Sequence, residues 1–213
     1  MTGTDWALPL VVRIERATPP TRTDALEAAA RSVLFLLTAD EPEWRPAIQA
    51  WDAHRIRKVV RRARGAAWER ATRLPGITVT HGSATVRVFP PVPVDDWPAD
   101  LAKLQVGGTE LTDPSEPDAP DPARPLVLLS PYVEMTAGKA MAQAGHAAQL
   151  GWRAASTAER ARWQADGFAL DVRDSAPAGW DAAVAAGAAV VTDGGFTEVE
   201  PGTRTALLVP PRR

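Results

Sequence analysis

The sequence predicts an α/β protein made of two similar three-layer domains, each with a small mixed sheet of about four strands flanked by helices. Apolar runs of strand length alternate with longer helix-like runs, which is typical of a sheet with helices on its faces. The same order of runs occurs twice along the 213 residues, with tryptophans at corresponding positions. We therefore expect the chain to contain the same domain twice.

Tryptophans set the register of this repeat. Trp51 and Trp68 each lie 112 residues before a second tryptophan, Trp163 and Trp180. Two further matches extend the repeat, Pro9-Leu10-Val11 with Pro125-Leu126-Val127 at an offset of 116 and Pro90-Pro91 with Pro210-Pro211 at an offset of 120. The larger final offset implies that the first copy has lost 8 residues near its end. The alternative is a coincidence in a chain rich in alanine and valine.

The predicted elements follow the same order in both copies. A strand (8–14 and 126–130) precedes a helix (23–37 and 136–152), and a second helix follows (43–53 and 155–166). A short strand (56–61 and 168–173) leads into a third helix (66–73 and 177–186). Two strands close each copy (77–80 with 85–89, and 188–193 with 204–209). Since the closing strands read as a hairpin, both sheets should be mixed.

A segment rich in proline and acid separates the copies. Residues 98–124 hold 2 basic and 6 acidic side chains, and almost no apolar residue occurs from 107 to 122. This composition predicts a linker at 105–123 that cannot form a core. The first copy is then 1–104 and the second copy 124–213.

Composition excludes several classes of protein. The chain has no cysteine, which excludes disulfides and thiolate metal sites and fits a reducing cytoplasm. No apolar run reaches the roughly 18 residues of a membrane span, and the N-terminus lacks the pattern of a secretory signal. The net charge of −2 argues against a strongly basic nucleic-acid binder.

The first polar island lies on the first predicted helix of the second copy. Thr136 is a candidate N-cap, and Lys139, Gln143 and His146 share one helical face because they are spaced i, i+4, i+7. The helix dipole disfavours a lysine in the first turn, so Lys139 either has an anionic partner or reaches into solvent. His146 and Gln143 are either satisfied core residues or site residues.

The second polar island follows predicted strand 188–193. Asp193 and the two glycines after it indicate a turn, but a turn does not explain Thr197, Thr203 and Thr205 around the next Pro-Gly pair. An ionised aspartate only accepts hydrogen bonds, whereas threonine donates and accepts. With a lysine from the helix, these groups can orient a water molecule and stabilise developing negative charge.

Together the islands resemble the type II peptidyl-tRNA hydrolases, which cleave the ester that joins a peptide to tRNA. The matching pattern is Met135-x-x-Gly138-Lys139-x-x-x-Gln143-x-x-His146-Ala147, followed by Asp193-Gly194-Gly195-x-Thr197-x-x-x-Pro201-Gly202-Thr203-x-Thr205. The resemblance covers about 124–211 and implies a domain with a four-stranded mixed sheet, usually dimeric, that needs no metal or organic cofactor. By position it implies catalytic roles for Lys139, Asp193, Thr197 and Thr205, and substrate-binding roles for Gly138, Gln143, His146 and Thr203.

Three positions depart from the family pattern. Ser130 and Tyr132 stand where the family commonly has Arg and Asp, and this change could weaken substrate or subunit contacts. Gly194 stands where the family usually has alanine, which implies a mild loss of rigidity.

The first copy lacks most of these residues. The repeat places Thr23 at the lysine position, Glu27 at the glutamine, Ala30 at the histidine and His81 at the aspartate. We therefore expect the first copy to be catalytically inactive and to stand in for the second subunit of a family dimer, so that the two domains pair as a pseudo-dimer within one chain. The whole protein should then be a monomer with two pseudo-symmetric halves.

A basic run occurs in the first copy. Its members are Arg55, Arg57, Lys58, Arg61, Arg62 and Arg64. They can form a phosphate track for tRNA, with Arg61 and Arg62 as the contacts, since phosphate neutralisation dominates nucleic-acid affinity. The alternative is a solvated strand edge, where basic residues deter edge pairing.

The functional hypothesis is hydrolysis of peptidyl-tRNA by activated water. Asp193 would orient or deprotonate the water, and Lys139 would stabilise the oxyanion or hold the terminal phosphate or ribose. No Ser-His-Asp arrangement competes, and none of the three histidines sits at metal-ligand spacing. The alternatives are a non-catalytic tRNA- or protein-binding module that kept the fold, and a deacylase for another tRNA ester.

Overall fold

The computed structural model describes residues 4–195 and 198–212, so the predicted site residue Thr197 lies outside the described residues. The first copy contains β1 (Trp6–Arg13), α1 (Arg22–Leu37), a 3₁₀ turn (Pro42–Trp44), α2 (Arg45–Asp52), β2 (Lys58–Ala63), α3 (Gly65–Thr72), β3 (Ile77–His81), β4 (Ala84–Val88), β5 (Val92–Pro93) and α4 (Ala99–Ala102). The second copy contains β6 (Leu126–Leu129), α5 (Ala137–Ala154), α6 (Thr157–Ala165), β7 (Asp171–Asp174), α7 (Pro177–Ala185), β8 (Val190–Thr192) and β9 (Arg204–Val209).

The two sheets have the same topology. The first has the order β2-β1-β4-β3, with β5 added beside β1, and the second has the order β7-β6-β9-β8. Along each path one parallel pair (β1 with β2, β6 with β7) comes before two antiparallel pairs, and β5 adds a third antiparallel pair to the first sheet. The predicted fold class, two mixed sheets flanked by helices, is therefore confirmed.

Side-chain details repeat at the offset of 112. Trp51 donates its indole N–H to the carbonyl of Arg57, and Trp163 donates to the carbonyl of Ala169, both at 2.8 Å. Left-handed backbone conformations are uncommon outside glycine. Among the described residues, two non-glycine residues adopt positive φ, and they are also 112 apart: Ile56 (46°) and Phe168 (58°).

The predicted match of the first strands is wrong by one residue. Leu10 pairs with Val60 and Val88, and in the second copy Val127 pairs with Val172 and Leu208, so Leu10 corresponds to Val127 at an offset of 117 rather than 116. Successive strand residues point to opposite faces, so a slip of one residue exchanges the two faces. The predicted match places Pro9 opposite Pro125. In the structure the buried residues that face the helices, Leu10 and Val127, are the ones that correspond.

One hydrophobic core spans both copies. α1 packs against α5 between the two sheets, and the buried cluster around them contains residues of each copy, such as Leu10 and Val127. Gly145 allows a close approach, because a Cβ there would lie 3.0 Å from Cγ2 of Val33. Trp68 lies in a separate cluster on the outer face of the first sheet. Within the described part of the chain, no helix combines the length and apolarity needed to cross a bilayer.

The connecting segment (105–123) forms no helix or strand, but it contributes to the core, contrary to the prediction. Leu111 is 6% exposed and belongs to the shared cluster. Thr109 is buried and accepts a hydrogen bond at Oγ1 from the backbone N–H of Gly138 (2.9 Å), near the start of α5. Asp113 accepts hydrogen bonds from the backbone N–H and the hydroxyl of Thr23 (2.9 and 2.8 Å), in the first turn of α1. The segment contacts the N-termini of α1 and α5 because the unpaired N–H groups there need acceptors and attract acidic side chains.

We predict that Trp51→Phe and Trp163→Phe each lower the free energy of unfolding by about 2 kcal/mol, because each leaves a backbone carbonyl without its indole donor and removes buried apolar area. Urea unfolding provides the measurement. Trp44→Phe is the matched control, since Trp44 is only partly buried, and it should change stability by less than about 0.5 kcal/mol. An equal loss of unfolding free energy in Trp44→Phe would show that the smaller ring, and not the lost indole hydrogen bond, causes the destabilisation.

Candidate functional site

The first helix of the second copy presents three polar side chains on one face. α5 begins after Thr136, whose hydroxyl oxygen accepts a hydrogen bond from the backbone N–H of Lys139 (3.3 Å), as predicted for an N-cap. Lys139, Gln143 and His146 all line one cavity. Thr136 also donates from Oγ1 to Oε1 of Glu198 (2.8 Å), which joins the loop after β8 to the start of α5.

Asp193 is held by the predicted turn after β8. Its backbone N–H donates to the carbonyl of Thr203, and its carbonyl accepts from the N–H of Gly202, both at 2.9 Å. Gly195 donates its N–H to Oδ1 of Asp193 at 2.8 Å. Gly195 has φ of 75° and lies against Pro201, so a Cβ would be both strained and obstructed. The backbone of the loop thus orients the carboxylate.

The ammonium of Lys139 and the carboxylate of Asp193 meet. Nζ of Lys139 lies 2.7 Å from Oδ2 of Asp193, and Nε2 of Gln143 donates to the same oxygen at 2.7 Å. Thr205 is fully buried and donates from Oγ1 to Oε1 of Gln143 at 2.6 Å. A carboxylate only accepts, so these two contacts determine which end of the Gln143 amide faces Asp193. Thr205 therefore acts on the site through Gln143.

A cavity of about 820 Å³ lies between the two copies, beside this ion pair. The second copy contributes Lys139, Gln143, His146, Asp193 and Glu198 to its wall. The first copy contributes β2 and the residues before it, together with Trp97. The side chains of Lys139 and Asp193 are 9% and 10% exposed, so the pair is mostly shielded but reaches the cavity. The two polar islands therefore converge on a single pocket.

The remaining predicted residues of the second copy have different outcomes. Thr203 donates its hydroxyl to the carbonyl of Glu200 (2.7 Å), so that hydroxyl serves the loop. Gly138 lines the cavity, but its backbone N–H is bound to Thr109 of the connecting segment. Thr197 lies outside the described residues.

Arg61 and Arg62 bind backbone carbonyls of the segment that follows α4. Arg61 lines the cavity, donates from Nη1 to the carbonyl of Leu104 (2.5 Å), and stacks 4.5 Å from the ring of Trp97. Burial lowers the pKa of the Arg61 guanidinium from its usual value. Arg62 donates from Nε to the carbonyl of Gly107 (2.9 Å). Both arginines thus have structural contacts whether or not they also contact a substrate.

Other members of the basic run lie on the cavity wall. Arg55 is exposed, Arg57 is half-buried and Lys58 is buried, and all three line the cavity. Arg64, at the end of the run, is exposed and stands outside the lining. The wall that faces the Lys139–Asp193 pair is therefore cationic. The sequence shows the basic run, but only the structure shows that the run lies beside this pair.

His146 is half-buried and contacts the first copy. Its Nδ1 lies 3.2 Å from Nζ of Lys58, which also donates to Oε1 of Gln149 at 2.6 Å. Burial lowers the pKa of His146 well below 6.5, and the charges of Lys58, Lys139 and Arg153 lower it further. The imidazole is therefore neutral at neutral pH.

The corresponding place in the first copy is closed by interdomain contacts. Nε2 of His81 lies 2.7 Å from Glu27. The predicted match of Glu27 with Gln143 is wrong by one residue, because the capping threonines Thr21 and Thr136 are 115 apart, so Glu27 corresponds to Ala142. Glu27 also accepts from the backbone N–H of Val172 (3.0 Å) and from Arg173 (2.8 Å), both in β7. Burial acts to raise the pKa of Glu27, but the hydrogen bonds outweigh it and lower that pKa. Asp24 lies nearby, and its ligand atoms and those of Glu27 and His81 are within 4.8 Å of one another.

Sequence reasoning missed several residues that line the pocket, most of them in the first copy. Lys58 and Arg57 were placed only in a basic run, and Trp97 and Glu198 were not singled out. The repeat is the signal that could have found them. If the two copies pair through α1 and α5 with pseudo-two-fold symmetry, each of these helices also meets the parallel strand pair of the other copy. α5 indeed contacts β2, and α1 contacts β7.

No protein-family model matches this chain, and no curated protein matches it. The likeness to the type II peptidyl-tRNA hydrolases therefore rests on the sequence motifs quoted above.

We predict that the stability contribution of His146 is lost as the pH falls below 6.5. The unfolded chain takes up a proton near pH 6.5, whereas the native imidazole resists protonation until its lowered pKa is reached, so the free energy of unfolding declines with falling pH. The decline should approach about 1.4 kcal/mol per pH unit in this window.

Urea unfolding between pH 8 and pH 5 tests this for the wild type and for His146→Asn, which should show a flatter pH dependence. The exposed His54 provides the control, and His54→Asn should retain the wild-type profile. Parallel profiles for the wild type and His146→Asn would contradict the prediction.

Proposed function

We propose that this protein hydrolyses the ester bond of peptidyl-tRNA with a water molecule activated at Asp193. The observation that carries the proposal is the meeting of the Lys139 ammonium and the Asp193 carboxylate on the wall of a cavity that also presents cationic side chains. No residue of this set needs a metal or organic cofactor for the reaction.

Asp193 retains an acceptor site for the water. Oδ2 accepts from Lys139 and Gln143, which use both of its lone pairs, whereas Oδ1 accepts only from Gly195 among the described residues. A water bound to Oδ1 would be oriented by the carboxylate. A carboxylate is a weak base near neutral pH, so its contribution comes from positioning as much as from proton transfer.

The proposed reaction is ordinary acyl transfer to water. The water oxygen attacks the ester carbonyl carbon while its proton passes to Asp193, and a tetrahedral oxyanion forms. Lys139 lies within reach to stabilise that negative charge, in a pocket shielded enough to strengthen electrostatic interactions. Collapse of the intermediate breaks the bond to the ribose oxygen, which takes the proton and leaves as the free hydroxyl of tRNA.

The cationic wall supports a nucleic-acid substrate. Arg55 and Arg57 line the cavity from the first copy, where they can meet the phosphates next to the ester. Since both copies of the fold are already paired in one chain, we propose that the protein acts as a monomer. The proposed substrate places the activity in the cytoplasm, where translation occurs.

A non-catalytic tRNA-binding module is the second candidate. The observation in its favour is that Lys139 and Asp193 neutralise each other at 2.7 Å, an arrangement that an ion pair with only a structural role would also adopt. Peptide release from peptidyl-tRNA by the purified protein separates the two, because a binding module would retain tRNA affinity without release.

We predict that Lys139→Ala lowers the turnover of peptidyl-tRNA by about 10²-fold or more, since it removes a charge that acts mainly in the transition state. Asp193→Asn, which keeps the shape but not the charge, should cause a comparable loss. A single-turnover release assay gives the measurement, and thermal unfolding confirms that each variant is folded. The exposed Lys103→Ala is the control, and wild-type turnover in Lys139→Ala would remove that residue from the mechanism.

We predict that Arg55→Glu weakens tRNA binding and reduces the slope of log affinity against log salt by about one unit, because a phosphate contact is lost. Arg64→Glu is the matched control, since Arg64 is an exposed member of the same run outside the cavity. Fluorescence anisotropy at several salt concentrations measures both. Equal effects of the two reversals would indicate a response to net charge alone.

A further inference from the structure

A polar chain runs from the surface of the first copy to the cavity. Asp52 accepts hydrogen bonds from Arg153 and, at 2.8 Å, from Nε2 of Gln149. A carboxylate only accepts, so the Gln149 amide must turn its nitrogen toward Asp52 and its oxygen toward Lys58. That oxygen lies 2.6 Å from Nζ of Lys58, and Nζ lies 3.2 Å from Nδ1 of His146. The Asp52 carboxylate thus determines the direction of the hydrogen bonds from Gln149 onward.

Lys58 occupies a site built for an ammonium group. Its three contacts are Oε1 of Gln149, Nδ1 of His146 and, at 3.5 Å, the carbonyl of Ile56, which match the three N–H donors of a charged lysine. The ring of Trp51 lies 4.8 Å away and favours a cation. With Lys58 as the donor, Nδ1 of His146 must accept, and the imidazole proton is placed on Nε2.

The other copy has an apolar residue in place of the lysine. The two helices correspond at an offset of 115, because Thr21 and Thr136 cap them in the same way and the burial pattern of 24–35 repeats in 139–150. Leu170 and Leu34, each at most 1% exposed, stand in place of Lys58 and Gln149, whereas Arg31 stands in place of His146 and donates to the carbonyl of Gly167. A buried lysine costs free energy unless its donors are satisfied, so a lysine where the equivalent position holds a leucine indicates a role in the cavity on that side.

We propose that Lys58, although it belongs to the first copy, is a positioning residue of the site: it holds His146 as the neutral Nε2–H tautomer, which donates a hydrogen bond to an oxygen of the substrate. This inference rests on the proposed function for the identity of the substrate, a carboxylic ester with a ribose hydroxyl beside it. His146 lines the cavity, and its Nε2 has no hydrogen-bond partner within residues 4–195 and 198–212.

The surrounding charges keep the imidazole neutral. Lys58 faces His146 from β2, and Lys139 and Arg153 face it from α5, and burial together with these charges lowers its pKa. Burial also lowers the pKa of Lys58, and Arg153 lowers it further, whereas Asp52 of α2 opposes them. A neutral N–H donor can bind an ester or hydroxyl oxygen without releasing its own proton, while Asp193 accepts the proton of the water.

The first experiment reads the tautomer directly and needs no activity. In ¹⁵N-histidine-labelled full-length protein, which has three histidines, the ring nitrogens of His146 are assigned by replacing His54 and His81 in turn. At neutral pH the wild type should show a protonated Nε2 and an unprotonated Nδ1. A protonated Nδ1 would overturn the inference, and this measurement stands even where a variant does not fold.

Two variants separate a positioning role from a general effect of charge. Lys58→Met removes the donor to Nδ1, so His146 should become a mixture of tautomers with a raised pKa. Arg153→Gln removes a neighbouring charge that does not contact the ring, so the pKa of His146 should rise while the tautomer stays unchanged. A wild-type tautomer in Lys58→Met, or the same mixture in both variants, would overturn the inference.

The peptide-release assay links the tautomer to the substrate. Lys58→Met should lower kcat/KM by about tenfold, the effect of one misplaced hydrogen bond. An unchanged kcat/KM in a variant with mixed tautomers would overturn the role of His146 as a substrate donor. If the wild type shows the Nε2–H tautomer but releases no peptide, the proposed function fails while the positioning of His146 by Lys58 is upheld.

Discussion

The contact between α1 and α5 is the constraint on which the rest of this structure depends. The two helices are the elements in closest contact across the repeat, and alanine and glycine along them allow their axes to approach. Each helix covers one face of its own sheet and also meets the other copy. The two copies consequently share one apolar core, and the cavity forms where α5 passes the sheet of the first copy. Burial of apolar area across this contact stabilises the pairing without any special chemistry.

The repeat makes the two sides of this contact directly comparable. On one side, Glu27 binds His81 and β7 and closes the space with hydrogen bonds between the copies. On the other side, Lys139 and Asp193 pair beside an open cavity. Equivalent backbone geometry thus supports a sealed interface in one case and a pocket in the other, so the difference lies in the side chains and in the longer loop before β9.

The Lys139–Asp193 pair is a costly feature for a protein to retain. Both side chains are about nine-tenths buried, and withdrawing two charges from water costs free energy that their attraction does not fully recover. Gln143, the N–H of Gly195 and, through Gln143, Thr205 supply the hydrogen bonds that make the pair tolerable. Such an arrangement gives little net stability, and this is why its position beside a cavity favours a functional interpretation.

Much of this protein follows from the sequence by itself. Local rules predicted the order of elements, the repeat at 112, the shared face of Lys139, Gln143 and His146, and the turn at Asp193, because helical periodicity and turn chemistry depend on neighbouring residues. Tertiary structure alone decided the rest. The structural match of β1 with β6 differs by one residue from the match predicted from the prolines, because the residues that face the core must coincide. Leu111 enters the core despite its acidic surroundings. The meeting of Lys58 with His146 joins residues 88 apart, and contacts at that separation depend on how two finished surfaces pack, which no local pattern records.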